Sequence, residues 1–128
     1  MWCYWLRHAE IPPRRPMKII RSSIAKGIRT ARLSRNLSQE DFVAVSGRTY
    51  VSEIERGTKT PTITKIDQLA AVMRLHPLTV LTLGYCKTPS QKEAAAVMAK
   101  VSSEIHEVLA ALAERERQLL EAAEASKL

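Results

Sequence analysis

The chain has 128 residues, enough for one small domain and an appendage, and its apolar fraction of 45% is ordinary for a globular protein. No run approaches the ~18 consecutive apolar residues of a membrane-spanning helix, and the start, MWCYWLRHAEIPPRRP, lacks the long apolar core of a secretory signal, so membrane and secreted classes are not expected. The net charge of +7 is unevenly spread: residues 17–86 carry eleven basic against five acidic side chains, while residues 87–128 carry six against seven, so a polyanion would be drawn to the middle of the chain and not to its tail.

Residues 1–16 place Pro12, Pro13 and Pro16 among arginines, a run that can continue neither a helix nor a strand. We expect a mobile N-terminal arm of a kind that suits a minor groove. The alternative is an over-long gene start, because Met17 opens a segment that reads like an ordinary protein beginning. Cytoplasmic residence is the default, and Cys3 and Cys86 are then expected to stay reduced and unpaired.

Residues 17–86 predict five short helices. Ser22 or Ser23 caps the first, whose apolar face is Ile24, Ile28 and Ala31, and Asn36 stops it. Ser38 caps the second, with Asp41 three residues on in a near capping box and Phe42 and Val45 facing inward, until Gly47 breaks it. The third runs from about Arg48 to Arg56 with Val51 and Ile54 inward, and Gly57 sits where a left-handed cap is wanted. Pro61 bars continuation. Thr62 or Thr64 starts the fourth, with Ile63, Ile66, Leu69, Ala70 and Met73 as its apolar set, and the fifth starts near Pro77 with Leu78, Val80 and Leu81. Nothing alternates with period two for long, so no sheet is expected and the fold class is all-α.

Residues 87–128 follow a polar patch and predict one long helix from about residue 90 to residue 126. Met98, Val101, Ile105, Val108, Leu112 and Leu119 recur with the three-four spacing of a heptad seam, and Arg115 falls on that seam. Such a helix is the natural dimerisation element; the other uses of the stripe are folding back on the preceding domain or binding a partner protein.

Residues 38–62 meet the demands of a helix-turn-helix: a short helix to cross the DNA backbone, a tight turn, and a second helix with polar residues at its N-terminus for the major groove. The sequence resembles the phage repressor (lambda and Cro) and xenobiotic-response-element type of transcriptional regulator over roughly residues 20–82. The resemblance is carried by Leu37-Ser38-Gln39-Glu40, Ser46-Gly47, Arg48-Thr49-Tyr50-Val51-Ser52, Ile54-Glu55-Arg56-Gly57 and Pro61-Thr62, with Leu69, Ala70 and His76-Pro77-Leu78 at fitting distances. It implies a five-helix lambda-repressor-like domain followed by the long C-terminal helix. Base contacts would fall to Arg48, Thr49 and Glu53, and phosphate contacts to Gln39, Tyr50, Ser52, Arg56, Lys59 and Thr60. A structural ion pair would join Arg32 and Glu55. The implied function is sequence-specific binding to double-stranded DNA, as a repressor acting as a homodimer on half-sites about one helical turn apart. An antitoxin or adaptor whose C-terminal helix binds another protein is the alternative. Many relatives have two more residues between the turn glycine and the Arg-Thr-Tyr element, so here either the turn is tighter or the second helix ends earlier.

No catalytic set accompanies these features. His8, His76 and His106 are dispersed with no metal-ligand spacing to either cysteine, and Gly27, Gly47, Gly57 and Gly84 are isolated, so no phosphate loop is present. An enzyme, a metal and a cofactor are all unexpected.

Overall fold

The computed structural model describes residues 21–128, and the expected arm over residues 1–16 lies outside them. Contacts divide the chain into two units that meet between Tyr85 and Cys86. Among the described residues there is no strand.

The first unit holds α1 (Arg21–Ser34), a single 3-10 turn over Gln39–Phe42, α2 (Arg48–Glu55), α3 (Ile63–Met73) and α4 (Pro77–Tyr85). Their apolar faces close on one core in which Ile28, Phe42, Val51, Ile54, Leu69, Met73 and Val80 are fully buried. Ile66, Leu69, Ala70 and Met73 are spaced as one helical stripe, so α3 turns that stripe to the core and leaves Thr64, Asp67, Gln68 and Ala71 exposed. Two members of the expected apolar sets lie outside the core: Ile63 is 81% exposed and Leu78 is 55% exposed. Each lies in the first turn of its helix, beyond the edge of the packed stripe.

Three helices stop by the same device. After α1, α2 and α3 the residue past the last turn takes a left-handed conformation, at Asn36, Gly57 and Arg74. The following N–H then reaches back to the last turn: Leu37 to Arg32, Thr58 to Glu53, and Leu75 to Ala70, at 3.2, 3.0 and 3.0 Å. Helix starts are equally local. The Asp41 carboxylate accepts from the Ser38 backbone N–H at 2.6 Å, Thr62 accepts from the Lys65 N–H, and His76 Nδ1 accepts from the Leu78 N–H at the head of α4.

The tightest packing joins α1 to α4. A Cβ placed on Gly27 would stand 2.7 Å from the Gly84 nitrogen and 2.8 Å from the Val80 carbonyl oxygen, so the two helices cross backbone to backbone. Neither glycine is there for its dihedral freedom; the absence of a side chain is what the crossing requires. Gly27→Ala forces rigid backbone atoms apart and should destabilise the unit by roughly 1–3 kcal/mol. Gly84→Ala, whose Cβ would meet the Ser23 carbonyl at 3.2 Å, should cost less. Chemical denaturation of the two variants checks the order.

The second unit is α5 (Gln91–Ala125), a 35-residue helix with no buried residue. At 1.5 Å per residue it is a rod about 52 Å long. Ser90 caps it by accepting from the Glu93 N–H, and the Glu93 carboxylate in turn accepts from the backbone N–H groups of Lys87 and Thr88 and the Thr88 hydroxyl. These Thr88 bonds, above all the one from its backbone, hold the Glu93 pKa below the usual glutamate range. A lowered folded pKa means the cap contributes above the ordinary value of about 4.3 and is lost as pH falls through the lowered one. The amide resonances of Lys87 and Thr88 should therefore titrate together, with a midpoint below that of an unhindered glutamate. A midpoint at or above the ordinary value would refute this.

Candidate nucleic-acid interface

The site is built around α2. Val51 and Ile54 are buried and fix the inner face of this eight-residue helix, so Arg48, Thr49, Ser52, Glu53 and Arg56 share the opposite face. Arg48, Thr49 and Arg56 are exposed, while Ser52 and Glu53 are half-buried. Lys59 and Thr60, in the loop that follows, are exposed as well.

The element before α2 settles the question left by the short turn. The second helix ends earlier: after the 3-10 turn, the Val45 and Ser46 N–H groups both fall back on the Phe42 carbonyl, at 3.0 and 2.8 Å, and the chain turns directly into Gly47. Gly47 is the N-cap of α2 with φ −65° and ψ 148°, ordinary extended backbone, and a Cβ there would meet nothing within 4 Å. The turn is made by shortening the helix and not by glycine geometry, which corrects the role expected for this residue. Fully buried Phe42 anchors what remains of the second helix.

A buried charge network holds α2 against α1. Arg32 Nε donates to Glu55 Oε1 at 2.6 Å and Arg32 Nη2 to Glu55 Oε2 at 3.0 Å, a two-pronged pair whose side chains are only 11% and 6% exposed. The third guanidinium nitrogen donates to the Leu37 carbonyl at 2.8 Å, and Gln39 Nε2 donates to Glu55 Oε2 at 3.1 Å. The hydrogen bonds to Glu55 raise the Arg32 pKa against the opposing effect of burial, with the carboxylate charge adding to them. Among the described residues no buried side-chain polar atom lacks a partner.

The remaining charged residues form a surface lattice. Arg48 pairs with Glu40 at 3.0 Å, and Glu53 pairs with Lys59 at 2.7 Å. Lys59 and Lys65 stand over the Tyr50 ring, 5.4 and 5.6 Å from its centroid, and Lys65 Nζ also donates to the Val45 carbonyl at 2.8 Å. Arg56 Nε reaches back to the Ser52 carbonyl at 3.3 Å. Sequence reasoning missed Lys65, which lies fifteen residues from Tyr50 on another helix and carries no local signal. It also missed the bond that spends one Gln39 donor on Glu55; the second amide hydrogen stays available. Among the described residues no group of three His, Cys, Asp or Glu side chains gathers as a metal site, and no helix is long and apolar enough to cross a membrane.

A short buried-edge helix locked behind a compact turn, showing arginine, threonine, serine and glutamate outward with a basic rim, is a helix-turn-helix DNA-binding domain. A helix-turn-helix family model matches residues 28–80. The control protein C.BamHI of Bacillus amyloliquefaciens is 35% identical over 74 residues, covering 53% of this chain and 91% of that protein. The crystal structure of a hypothetical transcription factor, NHTF from Neisseria, is 28% identical with a TM-score of 0.45, covering 48% of this chain and 74% of that one. The chain belongs to the Cro- and phage-repressor-type helix-turn-helix family and is a DNA-binding transcriptional regulator, a family of DNA readers rather than enzymes.

The Arg32–Glu55 pair gives a direct stability expectation. Glu55→Ala leaves a guanidinium buried without its carboxylate and should destabilise the first unit by roughly 3–5 kcal/mol. Replacing both partners with methionine should cost less than the two single changes together, since no charge is then stranded. A double-mutant cycle by chemical denaturation measures both, and an unchanged midpoint for Glu55→Ala would contradict the assignment.

Proposed function

We propose that the protein is a repressor that binds its operator as a homodimer, laying α2 of each copy in the major groove of one half-site. The observation that carries this reading is the exposed polar face of α2 within the basic first unit. Arg48, at the N-terminal end of α2, reads guanine through O6 and N7, exchanging Glu40 for the base. Thr49 donates to a base edge or packs its methyl on thymine, and Glu53 accepts from a cytosine amino group. Gln39, Tyr50, Ser52, Arg56, Lys59 and Thr60 hold phosphates around them, with Lys59 poised between the Glu53 carboxylate and the Tyr50 ring. One such domain makes few base contacts. Two half-sites separated by whole helical turns supply the rest, and the apolar stripe of α5 supplies the pairing surface. That a relative bears the name of a control protein accords with a regulatory role.

In-vitro selection of bound DNA, run in parallel with Arg48→Ala, tests the reading. The wild type should enrich a two-fold symmetric site. The variant should lose preference at one base pair per half-site, by about 1–3 kcal/mol, while keeping salt-sensitive binding. Lys59→Ala should weaken all sequences alike and lower the salt slope by about one. An unchanged base preference in Arg48→Ala would refute its role as a reader. A chain that stays monomeric on DNA and in solution would favour the adaptor reading, in which α5 binds a different protein.

A further inference from the structure

The stripe on α5 also carries information about direction. Assigned to a heptad, Met98, Ile105, Leu112 and Leu119 take the first core position, and Val101, Val108, Arg115 and Ala122 the second. All the large apolar members are exposed on the single chain, from 38% at Val101 to 63% at Leu119. Resting on the homodimer reading above, we propose that the occupant of this stripe is α5 of a second copy running in the opposite direction.

Three features of the stripe argue for reversal. A parallel pair places like against like, so Arg115 would face Arg115 in one core layer, two guanidinium groups at the closest approach the coil offers. It would also set Ala122 against Ala122, a layer too thin to fill. The residue types also depart from a parallel dimer. Parallel two-stranded coils favour β-branched residues at the first core position and leucine at the second, whereas here only Ile105 of the four first positions is β-branched, both leucines sit at first positions, and no second position holds leucine.

Reversal about a centre near Ala110 removes each of these conflicts. Met98 then faces Ala122, Val101 faces Leu119, and Val108 faces Leu112, each layer matching a larger side chain with a smaller one. Arg115 faces Ile105, its aliphatic stem covering the isoleucine and its guanidinium leading out to solvent. The two arginines stand ten residues apart along the axis, about 15 Å, instead of in one layer. Leu109, 60% exposed and just beside the seam, meets its own copy at the centre, which gives a place to an apolar residue that a parallel pair would set beside Glu104. At the DNA, the starts of the two α5 helices lie on the order of 55 Å apart, so the DNA-binding units are tethered at opposite ends of the rod.

Pulsed dipolar spectroscopy on the full chain distinguishes the arrangements. In a Cys3→Ser, Cys86→Ser background, a spin label is placed at Ala96→Cys or at Ala110→Cys, both on the outer face of the helix. The antiparallel pair predicts about 42 Å between labels at position 96, from the 28-residue offset between the two copies, and a much shorter separation at position 110. Short separations at both positions would overturn the reversal while leaving the homodimer intact. A monomeric mass with no dipolar coupling at either position would overturn the homodimer itself.

Discussion

The bond between Arg32 and Glu55 is the constraint on which the DNA-binding face depends. One end is rooted near the close of α1 and the other at the last residue of α2, and both side chains are shielded from water. The same guanidinium takes the Leu37 carbonyl and the same carboxylate takes the Gln39 amide, so α1, the entry to the second helix and α2 share one polar node. Apolar contacts alone would let α2 slide or roll on the core. A two-pronged pair with fixed directions removes that freedom, and with it any doubt about which face of α2 looks outward. Such a pair adds little net stability over a well-packed apolar substitute, so its value lies in fixing orientation.

That node explains how the domain tolerates so short a second helix. With only one 3-10 turn before Gly47, the usual helix-against-helix packing that positions a recognition helix is curtailed. Phe42 supplies the remaining apolar anchor, and the Lys65 ammonium on the Val45 carbonyl ties the turn to α3. On the other side of the core, the contact of Gly27 with Gly84 and Val80 seats α4 on α1. The turn is thus held through the Arg32–Glu55–Gln39 node, through Phe42 and through Lys65.

Much of this was legible in the sequence because it is local. Helix starts at Ser38 and Thr62, stops at Asn36 and Gly57, and the stripe of α3 follow from residue spacing within one or two turns. Long-range features divide by whether a residue pattern announces them. Arg32 and Glu55 came from resemblance, and no property of either position alone would pair residues 23 apart. Gly27 and Gly84 looked isolated because the crossing that brings them together exists only in three dimensions. Ile63 and Leu78 belong to apolar sets yet lie exposed for a related reason: periodicity says which face a residue lies on, but not whether the core extends that far along the helix. The shortened turn was visible as two missing residues, yet the choice between a sharper turn and a truncated helix depended on where Phe42 had to sit.

On the proposed reading, the charged residues of α2 bear on how the protein would discriminate between DNA sequences. Arg48 and Glu53 are not bare: each already has an ionic partner, Glu40 and Lys59, at 3.0 and 2.7 Å. Arg48 and Glu40 are well exposed, and pairs of that kind are worth at most about 1 kcal/mol. Giving one up for a good bidentate base contact, worth roughly 1–3 kcal/mol of discrimination, is favourable only when the base is the right one. On a wrong base a reading Arg48 would return to Glu40, so a mismatch would not strand its charge. Glu40 would thus narrow the gain available from non-specific contact by Arg48. In a basic domain, where any phosphate backbone attracts, such internal competition would add discrimination that further positive charge cannot.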